Sequence, residues 1–309
     1  MKNHNKITRI RVYKVDLTMK EGHYSWSNQT YRSFDSTIVE IETSEGINGY
    51  GEVCPLGPTY LPAYAEGARI GVKKIAKTLI GKDPTNINEI NLLMDNALRG
   101  HPYVKSAIDI ACWDIFGKSV NKPLFTLLGG KLQNKIKLFK VISRDIPEIM
   151  QEKVIEYQEQ GFRQFQMKVG AEPSVDIRRI TSVANNLKPG NVLGADANCG
   201  WNQHDAIRVV KAISNLDVYI EQPCFTYEEC RVIRQKTNLP FILDECLDSQ
   251  NNLIFSSDLS PSKTLSDGCS SQFFTLFSAA SLLSLITVYL KVFGFLNSLL
   301  ISVYASKGV

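Results

Sequence analysis

Apolar and polar residues alternate along two early stretches of the chain, "ITRIRVYKVDL" at 7–17 and "STIVEIETSEGINGYGE" at 36–52. A period of two is that of a strand with one buried face, and a Gly-containing turn falls at 46–49. The period then lengthens. Segments 63–80, 86–99 and 106–120 carry apolar residues at helical spacing, and Pro123 with the Gly129–Gly130 pair ends the helical run. Residues 1–130 are therefore expected to form an α+β unit.

From about residue 136 a repeated unit begins, an apolar strand followed by a turn and an amphipathic helix. The strands are "KLFKVIS", "QFQMKVG", "NVLGADAN", "DVYIEQP" and "PFILDE", and helical patterns lie between them at 147–160, 174–187, 203–213 and 226–237. Regular alternation of buried strands and helices predicts an α/β fold with a parallel sheet. Five units at roughly 24-residue spacing favour a (β/α) barrel over a doubly wound sheet. No GxGxxG follows any strand, which removes the main signal for a dinucleotide fold.

Composition narrows the function classes. The 309 residues are enough for two domains, and a net charge of +4 with Lys and Arg spread among the acids gives no nucleic-acid stripe. The seven cysteines are odd in number and form no CxxC pair, so a reducing, cytoplasmic setting is expected rather than a disulfide framework or zinc knuckle. The four histidines form neither HxH nor HExxH, which leaves a histidine-based metal site without support. The N-terminus lacks an apolar signal core.

The chemistry gathers at the strand ends. Asp196, Glu221 and Asp244 end three successive strands, 25 and 23 residues apart, one βα unit each time. At the C-terminal rim of a parallel barrel such acids converge and, unpaired, raise each other's pKa values. A hard divalent cation with oxygen ligands resolves the repulsion, which points to Mg²⁺ held by Asp196, Glu221 and Asp244. Capping of the next helix is the bland alternative for any one of them. Strand alternation sends Glu245 to the opposite side, whereas Asn198 shares the face of Asp196. Lys168 ends the preceding strand on the inward face, where a nearby cation and restricted solvent are expected to lower its pKa and make it a general base. Gln166, one pleat earlier, is placed to hydrogen-bond a substrate.

The helix "AIDIACWDIFGK", the following "NKPLFTLLGG" and the Lys168–Asp196–Glu221–Asp244 spacing resemble the mandelate racemase/muconate lactonizing enzyme family of the enolase superfamily over about residues 5–255. The resemblance implies an N-terminal capping domain and a TIM-like barrel. It also implies a lysine base with Mg²⁺, α-proton abstraction from a small carboxylate substrate through an enolate, and homo-oligomers. Loops near 20–30 and 51–60 would close over the substrate, with Tyr24, Trp26 and Tyr60 as walls or as packing residues. Gln-x-Lys at 166–168, in place of Lys-x-Lys, is similar to the branch acting on proline derivatives. It implies dehydration of a hydroxyproline-type amino acid first, and racemisation or epimerisation second.

The tail departs from this pattern. Residues 1–256 hold 13 serines and 257–309 hold 12, and 268–290 run 23 residues without a charge. An out-of-frame end replacing the last barrel strands is the preferred reading, because the change is abrupt and no linker precedes it. A membrane anchor and a divergent remainder of the barrel are the alternatives. The barrel is then expected over 131–256 only, incomplete after its fifth strand. The second catalytic lysine would be missing from its expected place around Lys263, with poor stability and an inactive relative as the consequence.

Overall fold

The computed structural model describes residues 5–248, with 133, 136 and 137 excepted, and also 252. Lys263, the charge-free run at 268–290 and the whole 257–309 tail lie outside the described residues. No helix among the described residues is long and apolar enough to cross a membrane.

The chain runs through β1 (Ile7–Thr18), β2 (Tyr24–Trp26), β3 (Gln29–Tyr31), β4 (Ser33–Thr43) and β5 (Asn48–Val53), then helices α1 (Ala65–Leu79), α2 (Ile87–Ala97), α3 (Pro102–Ser119) and α4 (Leu124–Leu127). The strand–helix units follow as β6 (Lys140–Ile142), α5 (Pro147–Glu159), β7 (Gln164–Lys168), α6 (Pro173–Asn185), β8 (Val192–Asp196), α7 (Gln203–Ala212), β9 (Tyr219–Glu221), α8 (Tyr227–Arg234) and β10 (Phe241–Ile242). These residues divide into two compact units, one of 5–18 with 33–134 and one of 19–32 with 135 onward.

In the first unit β1, β4 and β5 pair antiparallel and the alternation of β4 buries Val39 and Ile41 against the helices. The helices supply Val72, Ile75, Met94, Ala107, Ile108 and Ala111 to the same core. Helix α3 begins at Pro102, earlier than the expected 106, because proline is pre-organised for a first helical turn. It lies directly on β5. A Cβ built at Gly49 would stand 2.2 Å from the Ala111 carbonyl oxygen, and one at Gly51 would stand 1.9 Å from that of Ala107. Only glycine lets strand and helix backbones approach this closely.

In the second unit five parallel strands follow the order β10-β9-β8-β7-β6. Alternation splits β7. Phe165 and Met167 join Met150, Val154, Ile180 and Val183 in the layer between sheet and helices, leaving Gln166 and Lys168 on the other face. Helix α8 starts with a capping box between Thr226 and Glu229, which satisfies otherwise orphaned N–H groups. The expected five-strand α/β architecture is present. The segment read as a loop at 20–30 is instead a hairpin, β2–β3, and the strand expected to reach Asp244 ends at Ile242.

Gly51→Ala should cost about 3 kcal/mol, at the upper end of overpacking penalties, because the methyl meets a backbone carbonyl that cannot rotate away. Urea unfolding of the full chain measures this. Gly46→Ala, at a turn with nothing within 4 Å of the added carbon, should cost less.

Candidate active site

Parallel pairing sets Lys168 opposite Asp196 and Asp196 opposite Glu221, so three charged side chains sit at one height on adjacent strands. All three are buried. Lys168 Nζ donates to Asp196 Oδ2 at 2.5 Å, and Gln166 Nε2 donates to Glu221 Oε2 at 2.8 Å. The in-register partner of Glu221 is Ile242, so Asp244 stands one pleat higher, beyond the end of β10. The backbone N–H of Asp244 donates to Gln222 Oε1 at 2.7 Å.

The electrostatics follow from this crowding. Glu221 is pushed well above the carboxylate range by burial and by the neighbouring Asp196, against the pull of Lys168 and Gln166. Burial, and then Asp196, push Asp244 up to about 6. The lowering expected for Lys168 presumes a neighbouring cation, and the protein's own groups act the other way. Burial opposes the Lys168 charge, but the carboxylates of Asp196 and Glu221 outweigh burial, and its pKa rises rather than falls.

Asn198, placed by sequence on the face of Asp196, donates its backbone N–H to Asp196 Oδ1 at 2.9 Å and its side-chain amide to Glu245 Oε1 at 3.0 Å. Glu245 therefore braces the rim. Three non-glycine residues here are left-handed: Asn198 (φ 42°), Cys199 (φ 61°) and Gln222 (φ 34°). They lie within three residues after Asp196 or Glu221, and such strain persists only where surrounding structure holds it.

Sequence reasoning missed two residues. Gln222 spans the rim, donating from Nε2 to the Cys224 carbonyl at 2.8 Å while its Oε1 holds Asp244. Buried Asp176 accepts from the N–H groups of Gly170 (3.1 Å) and Ala171 (2.7 Å), from Trp201 Nε1 (2.9 Å) and from Arg179 Nη1 (2.8 Å), fixing the turn after Lys168. Its only sequence signal was an acid in the first turn of a helix.

The β2–β3 hairpin is latched to the strand ends. Ser27 N–H donates to the Val169 carbonyl at 3.0 Å, Ser27 Oγ to the Ala197 carbonyl at 2.7 Å, and Arg144 N–H to the Ser25 carbonyl at 2.9 Å. Gly170 (φ +90°) makes room, since a Cβ there would lie 2.1 Å from the Ala197 oxygen. The ring of Tyr24 is centred 5.9 Å from Lys168 Nζ, and Trp26 stacks on Tyr31 at 4.8 Å.

Among the described residues no group of three or more His, Cys, Asp or Glu side chains is drawn together tightly enough to hold a metal ion as it stands. Lys168 instead serves as the counter-charge to Asp196. The chemistry of the donor set nevertheless fits Mg²⁺. Its acids supply oxygen only, and two of them have pKa values raised by burial and by Asp196, the signature of carboxylates short of positive charge.

The profile described as mandelate racemase/muconate lactonizing enzyme, N-terminal domain, matches residues 9–129, and the enolase C-terminal domain-like profile matches 150–253. The chain belongs to the mandelate racemase/muconate lactonizing enzyme family. It is 56% identical over 250 residues to a cis-3-hydroxy-L-proline dehydratase from Roseibium aggregatum, covering 81% of this chain and 68% of that protein. An N-succinyl-L-Arg/Lys racemase from Bacillus cereus is 33% identical over 80% of this chain and 68% of its own length. Among solved structures, a member of the enolase superfamily from Roseovarius nubinhibens ISM complexed with magnesium superimposes with a TM-score of 0.75, at 36% identity, over 82% of this chain and 68% of that one. The family's two-part architecture thus matches the α+β unit and the β/α sheet described above.

Asp244→Asn should stabilise the chelator-treated protein at pH 7.5 by about 1 to 3 kcal/mol, from a cost near 1.4 kcal/mol per pKa unit. A carboxyl whose folded pKa is raised binds protons more tightly in the native state. It therefore destabilises the fold as pH climbs from near 4 to above 6. The gain from Asp244→Asn should accordingly fade toward pH 4, as read by thermal unfolding across that range.

Proposed function

We propose that this chain abstracts the α-proton of a small amino-acid-like carboxylate with Lys168 as base, and that its reaction is dehydration of a hydroxyproline-type amino acid. The observation that carries the reading is Lys168 in register with Asp196 and Glu221, in a chain 56% identical to a cis-3-hydroxy-L-proline dehydratase.

Asp196, Glu221 and Asp244 are the residues that would hold Mg²⁺. When bound, the cation would supply the positive charge that a substrate carboxylate needs while its α-carbon becomes an enolate. Lys168 is buried and paired to one of these carboxylates, so its proton affinity depends on how far Asp196 is engaged elsewhere. Neutral Lys168 takes the α-proton, and the C–H electron pair moves into the carboxylate π-system. Its return forms the Cα–Cβ double bond and expels the β-hydroxyl, which leaves as water on gaining a proton. Gln166 is neutral and orients Glu221 without competing for the proton. The rings of Tyr24 and Trp26 keep water from the base. We place this chemistry in the cytoplasm, consistent with the six described cysteines all being free thiols.

A racemase or epimerase reading is favoured by relatives such as the Bacillus cereus racemase and a hydrophobic dipeptide epimerase from Enterococcus faecalis, 32% identical over 80% of this chain. It requires a proton donor on the opposite face, and the position expected for one lies outside the described residues.

Full-length protein with Mg²⁺ should convert cis-3-hydroxy-L-proline with loss of one water, followed by mass spectrometry. Lys168→Ala, folded by circular dichroism, should lose about a thousandfold or more, the scale of general-base catalysis. Activity surviving in that variant removes Lys168 as the base. Deuterium entering the α-position from heavy water without dehydration favours the racemase reading.

A further inference from the structure

The hairpin has a second face. Tyr24 pairs with Tyr31 and Ser25 with Thr30, so alternation sends Tyr24 and Trp26 toward the base while His23, Ser25, Thr30 and Arg32 face the other way. That opposite face borders a concavity of about 410 Å³ completed by Arg144 and Arg179. Arg144 follows β6 at the parity of Ile142, whose side chain lies in the layer between sheet and helices, so it projects outside the barrel mouth.

This concavity holds more positive charge than its own groups neutralise. Arg179 Nη1 is paired with Asp176 at 2.8 Å and its Nε with the Asp145 carbonyl at 2.6 Å. The Asp145 carboxylate accepts the Ile146 N–H at 2.7 Å and is the one acid among the described residues that line the concavity. Arg144 Nε is buried and has no hydrogen-bond partner among the described residues. Burial, then repulsion from Arg179, lowers the Arg144 pKa. The Ser25 and Thr30 hydroxyls share one hydrogen bond at 2.9 Å. One of the two therefore keeps a hydrogen to donate outward. Helix α5 begins at Pro147, two residues after Asp145, and adds its positive dipole end nearby.

We propose that Arg32, Arg144 and Arg179, with Ser25 and Thr30, form a binding site for a free phosphate or small phosphoryl group. A carboxylate is satisfied by one guanidinium fork, whereas three guanidinium groups and a hydroxyl match the several acceptor oxygens of a dianion. Bound there, the anion ties the hairpin to the barrel rim from the side opposite the base. It relieves the repulsion between Arg144 and Arg179 and holds Tyr24 against Lys168.

Calorimetry on the full chain, titrating inorganic phosphate against acetate and chloride at matched ionic strength, tests the site without reference to turnover. Phosphate should bind one to one, at least tenfold more tightly than acetate or chloride, and should slow amide exchange across residues 24–31. Arg144→Gln should weaken phosphate at least tenfold. Arg32→Gln, at an exposed position, should weaken it at least threefold and serves if the first variant misfolds. Phosphate binding no better than acetate, or unchanged affinity in the folded variants, overturns the proposal. Loss of the proposed dehydratase activity alone would leave these outcomes untouched.

Discussion

The buried pair of Lys168 and Asp196, 2.5 Å apart with neither side chain more than 2% exposed, is the constraint on which the rest of the second unit depends. Two charges taken out of water are tolerated only when each satisfies the other with good geometry. The parallel register supplies that geometry, because residues at matching height on β7 and β8 bring lysine and carboxylate together without bending either strand. Glu221 on β9 is then a carboxylate too many. Burial and Asp196 raise its proton affinity, and the Gln166 amide relieves it only in part. The site is poised by this imbalance. It holds one ammonium among three acids, and under the proposed function a divalent cation there would free the lysine to act as a base.

The surrounding structure keeps that imbalance from relaxing. Asp176 pins the turn after Lys168 through four hydrogen bonds, and Gln222 fixes the backbone of Asp244. Left-handed Asn198, Cys199 and Gln222 show that the chain bends sharply where the acids are presented. The hairpin sets Tyr24 on its aromatic face over Lys168 and turns its polar face to the arginines. One short element thus links the Lys168–Asp196 pair to the outer rim.

Much of this was legible in the sequence because its periodicities are clean. Alternation in "QFQMKVG" separated Lys168 and Gln166 from Phe165 and Met167, and the unit spacing of Asp196 and Glu221 translated directly into register. Asp244 was harder to place. The apolar run "FIL" reads as strand up to the acid, but pairing with β9 stops at Ile242. The hairpin escaped because its strands are three residues each, too short for a period to register, and its turn uses a left-handed Ser27 rather than a glycine. Gln222 and Asp176 escaped because their role is to bind backbone groups brought near by the fold, which no local spacing encodes. How strongly the acids alone hold the Lys168 proton was not legible for a related reason: sequence names the neighbours but not which of them sits closest.

The central claim is that these acids and Lys168 act as one electrostatic unit that takes up a divalent cation. Titrating Mg²⁺ into the chelator-treated full chain at pH 6, in two buffers of different ionisation enthalpy, tests it most directly. The account predicts a single site whose binding heat differs between the buffers, because Mg²⁺ displaces protons held by Glu221 and Asp244. Absence of binding, or binding that persists in an Asp196→Asn, Glu221→Gln, Asp244→Asn variant, would contradict it.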